Sequence, residues 1–108
     1  TRRDLKPGAQ AVQAAHALTK FIQEHPDTYQ AWYGQSQHIG FLSIEDQAAL
    51  ERLCSRLTGL GIAFSTFHEP DMGNALTAIA VEPTPEATRY LSGIPLAMKE
   101  FNQFQVIA

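Results

Sequence analysis

The longest unbroken helical pattern in the chain runs from Ala9 to Glu24. Val12, Ala15, Leu18 and Ile22 recur at helical spacing, and Ala11, Ala14 and Phe21 widen that apolar face. Gln13, His16 and Lys20 stand three and four residues apart and form one polar stripe beside it. Ahead of the helix, Arg3-Asp4-Leu5 reads as a strand end, and Pro7-Gly8 as a tight loop. His25-Pro26-Asp27 closes the helix. Thr28 to Tyr33 is aromatic-rich and predicts a short helix or turn, with Trp32 and Tyr33 as packing anchors. His38 to Leu42 predicts a strand weakened at Gly40.

A second long helix starts at Ser43, where Ser43 and Asp46 have nearly the spacing of a capping box. Ala49, Leu50, Leu53, Cys54, Leu57 and Leu60 make its buried face, and Gly59 and Gly61 end it. Ile62 to His68 alternates and predicts a half-buried strand. Glu69 to Asn74 is a turn-rich loop. Leu76 to Val81 is nearly all apolar and predicts a central strand, paired antiparallel to the preceding one. Thr84-Pro85-Glu86 starts a helix that runs to about Leu91. Phe104 to Ala108 has strand character and would cover a sheet edge of this chain or a neighbour. The order strand, helix, strand, helix, strand, strand, helix implies an α/β fold, a small mixed sheet with helices on its faces.

The 108 residues suit one domain spanning 1–108. The chain opens at Thr1, directly on the strand end, so its first strand is either trimmed or very short. With 44% hydrophobic and 18% charged residues, the composition is globular rather than disordered. One cysteine, Cys54, gives neither an internal disulfide nor a zinc site, and points to a reducing, cytoplasmic home. No apolar run reaches membrane-spanning length. The net charge of −3 argues against a protein that coats nucleic acid, yet Arg2, Arg3, Lys6 and Lys20 allow a local basic patch.

The polar stripe just past the Pro-Gly loop is a candidate place for chemistry, or for anion binding at a helix N-terminus. The ordinary alternative is a surface helix whose stripe faces water. His25, His38 and His68 are scattered without metal-ligand spacing. No phosphate-binding glycine loop is present. Glu69 and Asp71 form a close carboxylate pair of the kind usually just solvated in a loop.

The segments RRDLKPG, QAVQAAHA, EPD, LTAIAVEP and LSGIPL together resemble the peptidyl-tRNA hydrolases of the second, archaeal and eukaryotic type, in a compact bacterial-like variant. The resemblance covers nearly the whole chain. It implies a mixed four-stranded sheet sandwiched between helices, in three α/β/α layers. It also implies a cytoplasmic enzyme, a frequent homodimer, and metal-independent, cofactor-free hydrolysis of the ester joining a peptide to the tRNA 3′ end. By position, His16 matches the family's helix histidine and Gln13 the glutamine before it. Asp71 matches the loop aspartate, Thr77 the threonine of the last strand, and Arg3, Asp4 and Leu5 the strand-end signature. One position departs. The family's lysine after the loop glycine is absent, because Gly8 is followed by Ala9 and Gln10.

Ester hydrolysis needs an activated water, stabilisation of the developing oxyanion and a grip on the substrate. The resemblance therefore casts His16, Asp71 and Thr77 as catalytic. An imidazole can take up a proton near neutral pH, a carboxylate can orient it, and a hydroxyl can donate to an oxyanion. Arg3, Lys6, Gln10, Gln13, Lys20 and Asn74 are the candidate substrate-binding residues, with the cations on tRNA phosphates. The alternative is a non-catalytic RNA- or protein-binding module on the same fold that has lost the lysine.

Overall fold

The computed structural model describes residues 1–99. Its elements are α1 (Pro7–Glu24), α2 (Pro26–Gln35), α3 (Gln47–Gly59), β1 (Phe64–Glu69), a 3-10 turn (Pro70–Met72), β2 (Ala75–Val81) and α4 (Pro85–Tyr90). Phe104–Ala108, the expected edge-covering strand, lies outside the described residues.

α1 begins at Pro7, two residues before the expected Ala9. Proline at the first helical position has its φ already set and loses no hydrogen bond there. The buried side of α1 also differs from the apolar face expected. Gln10, Gln13, Ala17 and Phe21 are buried, while Val12 and Ala15 are exposed. The two glutamines can be buried because their amides find partners inside the protein, as described below. The Thr28–Tyr33 stretch belongs to a full helix, α2, which buries none of its residues completely.

α3 starts four residues later than expected. Asp46, not Ser43, is the N-cap, and its carboxylate accepts from the Ala49 N–H at 2.9 Å. Ser43 is instead buried, with its N–H on the Pro95 carbonyl and its own carbonyl on the Arg3 guanidinium. At the other end Gly61 takes φ +70°, a left-handed turn that favours glycine. Thr84 caps α4 through its hydroxyl, which accepts from the Ala87 N–H.

Among the described residues the sheet has two strands, β1 and β2, paired antiparallel. The expected His38–Leu42 strand does not form. That region contributes single bridges only, Leu42 to Leu96 antiparallel and Arg2 to Ile44 parallel.

Leu50, Leu53 and Leu57 of α3 form the main core with Ile62, Leu76 and Ala87, and Ile79 and Val81 pack against it. Full burial of a leucine side chain contributes about 1.5–3 kcal/mol, so these three leucines anchor the fold. Leu76 and Ile79 lie three residues apart, which strict strand alternation would send to opposite faces. A bulge resolves this. Phe67 faces Ala78 and His68 faces Leu76, so Thr77 is the extra residue of β2.

Candidate functional site

The bulge turns the wholly buried Thr77 side chain toward α1. There its hydroxyl donates to Gln13 Oε1 at 2.6 Å, a buried contact across 64 positions of sequence. The Phe67 carbonyl is also near the hydroxyl, at 3.4 Å. A hydroxyl has one proton, and the shorter contact takes it. With its oxygen accepting from Thr77, the Gln13 amide turns its nitrogen toward Glu69, and Nε2 donates to Oε1 at 3.0 Å. Gln13 is 5% exposed, and one of its two Nε2 protons remains after the bond to Glu69. The other carboxylate oxygen, Oε2, accepts from the Asp71 backbone N–H at 3.4 Å. The result is a fixed hydroxyl–amide–carboxylate row that joins β2, α1 and the end of β1.

His16 lies one turn beyond Gln13. It is exposed and stacks on Phe67, with ring centroids 4.6 Å apart and planes within 17°. Among the described residues its imidazole makes no hydrogen bond, and none joins it to Asp71 or Thr77. Asp71 is exposed on the 3-10 turn, and its side chain has no partner among the described residues. Thus the structure brings Gln13 and Thr77 together, sets His16 beside them through Phe67, and leaves the Asp71 side chain facing outward. Glu69 was not singled out by the sequence as a site residue. The only signal was its place in the close Glu69/Asp71 carboxylate pair.

The other candidates divide into anchors and free groups. Gln10 is 6% exposed, and its Nε2 donates to the Leu5 carbonyl at 2.8 Å, which ties the N-terminal loop to α1. Arg2 is buried and structural. Its Nε and Nη2 fork onto Asp4 at 3.0 and 2.9 Å, and Nη1 reaches the Leu76 carbonyl at 3.1 Å. The hydrogen bond from Arg2 holds the Asp4 carboxyl below its ordinary range. Arg3 and Lys6 are exposed, and Lys20 half-buried. Asn74 is exposed at φ +61°, and its N–H closes the turn onto the Glu69 carbonyl at 2.9 Å. Burial pushes the Cys54 thiol up, away from the thiolate a nucleophile needs. No group of three metal-ligating side chains occurs among the described residues. None of the described helices is long and apolar enough to cross a membrane.

An ester-cleaving site requires polar groups held in place beside an accessible proton carrier. The row from Thr77 to Glu69, with His16 next to it, meets that description. The family model for peptidyl-tRNA hydrolase PTH2 matches residues 1–89. The chain belongs to that family, and its activity is the hydrolysis of peptidyl-tRNA. No curated protein matches the chain.

Proposed function

We propose that the chain cleaves the ester between a peptide and the tRNA 3′ end over the row formed by Thr77, Gln13 and Glu69. The observation that carries this reading is the pair of hydrogen bonds fixing Gln13, at 2.6 Å from Thr77 and 3.0 Å to Glu69. An amide held from both sides spends no reorganisation when charge develops near it. The remaining Gln13 Nε2 proton is assigned to the carbonyl oxygen of the ester.

Water attacks the ester carbon, and its proton passes to the Glu69 carboxylate. The C–O bond to the ribose then breaks, and the ribose oxygen takes a proton from His16. Glu69 is the carboxylate of choice over Asp71 because Glu69 touches Gln13. Asp71 supports it by the backbone contact to Oε2. Thr77 fixes the amide from behind. Arg3, Lys6 and Lys20 are assigned to tRNA phosphates, and Lys6 is the cation nearest in sequence to the missing family lysine. Asn74 is assigned to the turn that holds Glu69, and Gln10 to the loop under the substrate.

The setting we propose is the cytoplasm, in line with the single thiol. The active form is proposed to be a homodimer, by the resemblance to the family. The four-stranded, three-layer sheet belongs to the same proposal. Its rows are β1, β2, Thr1–Arg2 and Leu42–Ile44, supported by the parallel Arg2–Ile44 bridge and by the bond from the Thr1 hydroxyl to the Thr77 carbonyl.

The test is release of free tRNA from peptidyl-tRNA by wild type and Gln13→Leu. Loss of about 10²-fold or more in kcat, with folding intact, is expected for removing an oxyanion donor. Full activity in Gln13→Leu overturns this reading of the site.

A further inference from the structure

His16 and Phe67 are stacked with ring centroids 4.6 Å apart and planes 17° from parallel, inside the range of favourable aromatic contacts. Phe67 is half-buried on β1 and backs one face of the imidazole. His16 is exposed, so what it shows to solvent is the opposite face and the ring edge. The imidazole makes no hydrogen bond among the described residues, and the stack alone sets its orientation.

Val12 and Lys20 flank the open face, one turn before and one turn after His16 on the same ridge of α1. Val12 is 53% exposed, an apolar side chain that the fold leaves uncovered. Lys20 is half-buried. Gln13 stands one turn before His16 on the inner side of that ridge, and the Phe67 carbonyl lies 3.4 Å from the Thr77 hydroxyl. The stacked pair and the Thr77–Gln13–Glu69 row therefore share one turn of α1 and one residue of β1.

In a peptidyl-tRNA the ester and the terminal nucleobase are carried by the same ribose. An ester placed over Gln13 puts that base within the reach of one sugar ring from the row. Nucleobases bind by laying their flat rings on aromatic faces. The cluster of Tyr29, Trp32 and Tyr33 also carries rings, but it belongs to α2, beyond Glu24. At about 1.5 Å per residue, Glu24 already lies about 16 Å along α1 from Gln13, farther than a single nucleoside spans. The open face of His16 is the aromatic surface beside the row.

We infer that this face is the seat of the terminal nucleobase of the tRNA, an adenine, on the reading above that the ester lies over the row. The base extends the Phe67–His16 stack by one ring, with Val12 against its edge. Lys20 takes the phosphate on the 5′ side of that nucleoside, so the acceptor strand runs along α1 from Gln13 toward Lys20. The proton given to the ribose oxygen leaves from the edge of the imidazole, and stacking uses its face, so the two roles do not compete. Because Phe67 fixes the ring before substrate arrives, little ordering cost remains for this side chain on binding.

The test measures binding without hydrolysis. The probe is a short RNA ending in the tRNA 3′ sequence, with the peptide joined to the last ribose through an amide, and with the terminal base either present or replaced by hydrogen. Dissociation constants are compared at one salt concentration for wild type, His16→Ala, His16→Phe and Gln13→Leu. Removing the base is expected to weaken binding to wild type by about 5- to 150-fold and to change binding to His16→Ala little. His16→Phe keeps the full effect of the base while losing turnover of peptidyl-tRNA, because it retains a face and has no proton to give. His16 ring protons shift upfield on binding the probe only when the base is present. An equal effect of the base in wild type and His16→Ala, no effect in wild type, or a His16→Phe that binds like His16→Ala overturns the inference. Gln13→Leu separates it from the reading of the row: there the base keeps its effect on binding, and only turnover reports on the row.

Discussion

Replacing Thr77 with valine removes one hydroxyl and keeps the shape of a side chain that is fully buried. No cavity forms, so the cost is electrostatic. Gln13 Oε1 loses its 2.6 Å donor in a buried setting, and no other donor reaches it among the described residues. Leaving a buried acceptor unsatisfied costs about 1–3 kcal/mol. In a domain of this size that lowers the thermal midpoint by about 5–20 °C. The amide is then free to turn, and its bond to Glu69 is no longer fixed in direction. A loss of this kind of positioning lowers kcat by about 10–100-fold with little change in KM. Thermal unfolding and tRNA release measure the two effects on the same sample. A double-mutant cycle with Gln13→Met isolates the pair, with an expected coupling of about 0.5–3 kcal/mol. A Thr77→Val protein as stable and as active as wild type refutes the argument, because the hydroxyl then contributes nothing to the row.

Other consequences follow from single contacts. Burial lowers the Thr1 ammonium from its ordinary 8.0 to about 6 in the folded chain. Below pH 6 it is charged in both states and the folded chain bears the desolvation cost; above pH 8 it is neutral in both. Stability therefore rises between pH 6 and 8, by at most about 3 kcal/mol, and N-terminal acetylation flattens that rise in urea titrations. Asp46→Ala removes the α3 N-cap and lowers the urea-derived stability by about 1 kcal/mol. Leu57→Ala, at a position with no exposure, costs about 2–5 kcal/mol in the same assay.

Local chemistry made much of this fold readable. The apolar run at Leu76–Val81 and the alternation before it pointed to the β1–β2 hairpin. The face of Leu50, Leu53 and Leu57 defined α3, Thr84 marked the start of α4, and Gly61 its predecessor's end. These signals sit within a few residues of the structure they specify. The inward face of α1 was not readable, because it is made by Gln10 and Gln13, polar residues that enter the interior only when distant partners satisfy them. Gln13 depends on Glu69 and Thr77, 56 and 64 positions away. The Thr77 bulge was hidden for the same reason, since a change of register between two strands leaves no local mark. Position in the family suggested Asp71 as the loop carboxylate, whereas the side chain that meets Gln13 is its neighbour two residues back. Asp46 displaced Ser43 as the α3 cap because the Ser43 backbone is claimed by Arg3 and Pro95, contacts that lie outside any helix pattern.

The most direct test of the site is tRNA release from peptidyl-tRNA by Glu69→Gln and Asp71→Asn, compared with wild type at equal folded concentration. The row from Thr77 through Gln13 to Glu69 predicts that Glu69→Gln loses about 10²–10⁴-fold in kcat while Asp71→Asn stays within a few-fold of wild type. An active Glu69→Gln beside an inactive Asp71→Asn would contradict it and return the proton transfer to the outward-facing aspartate.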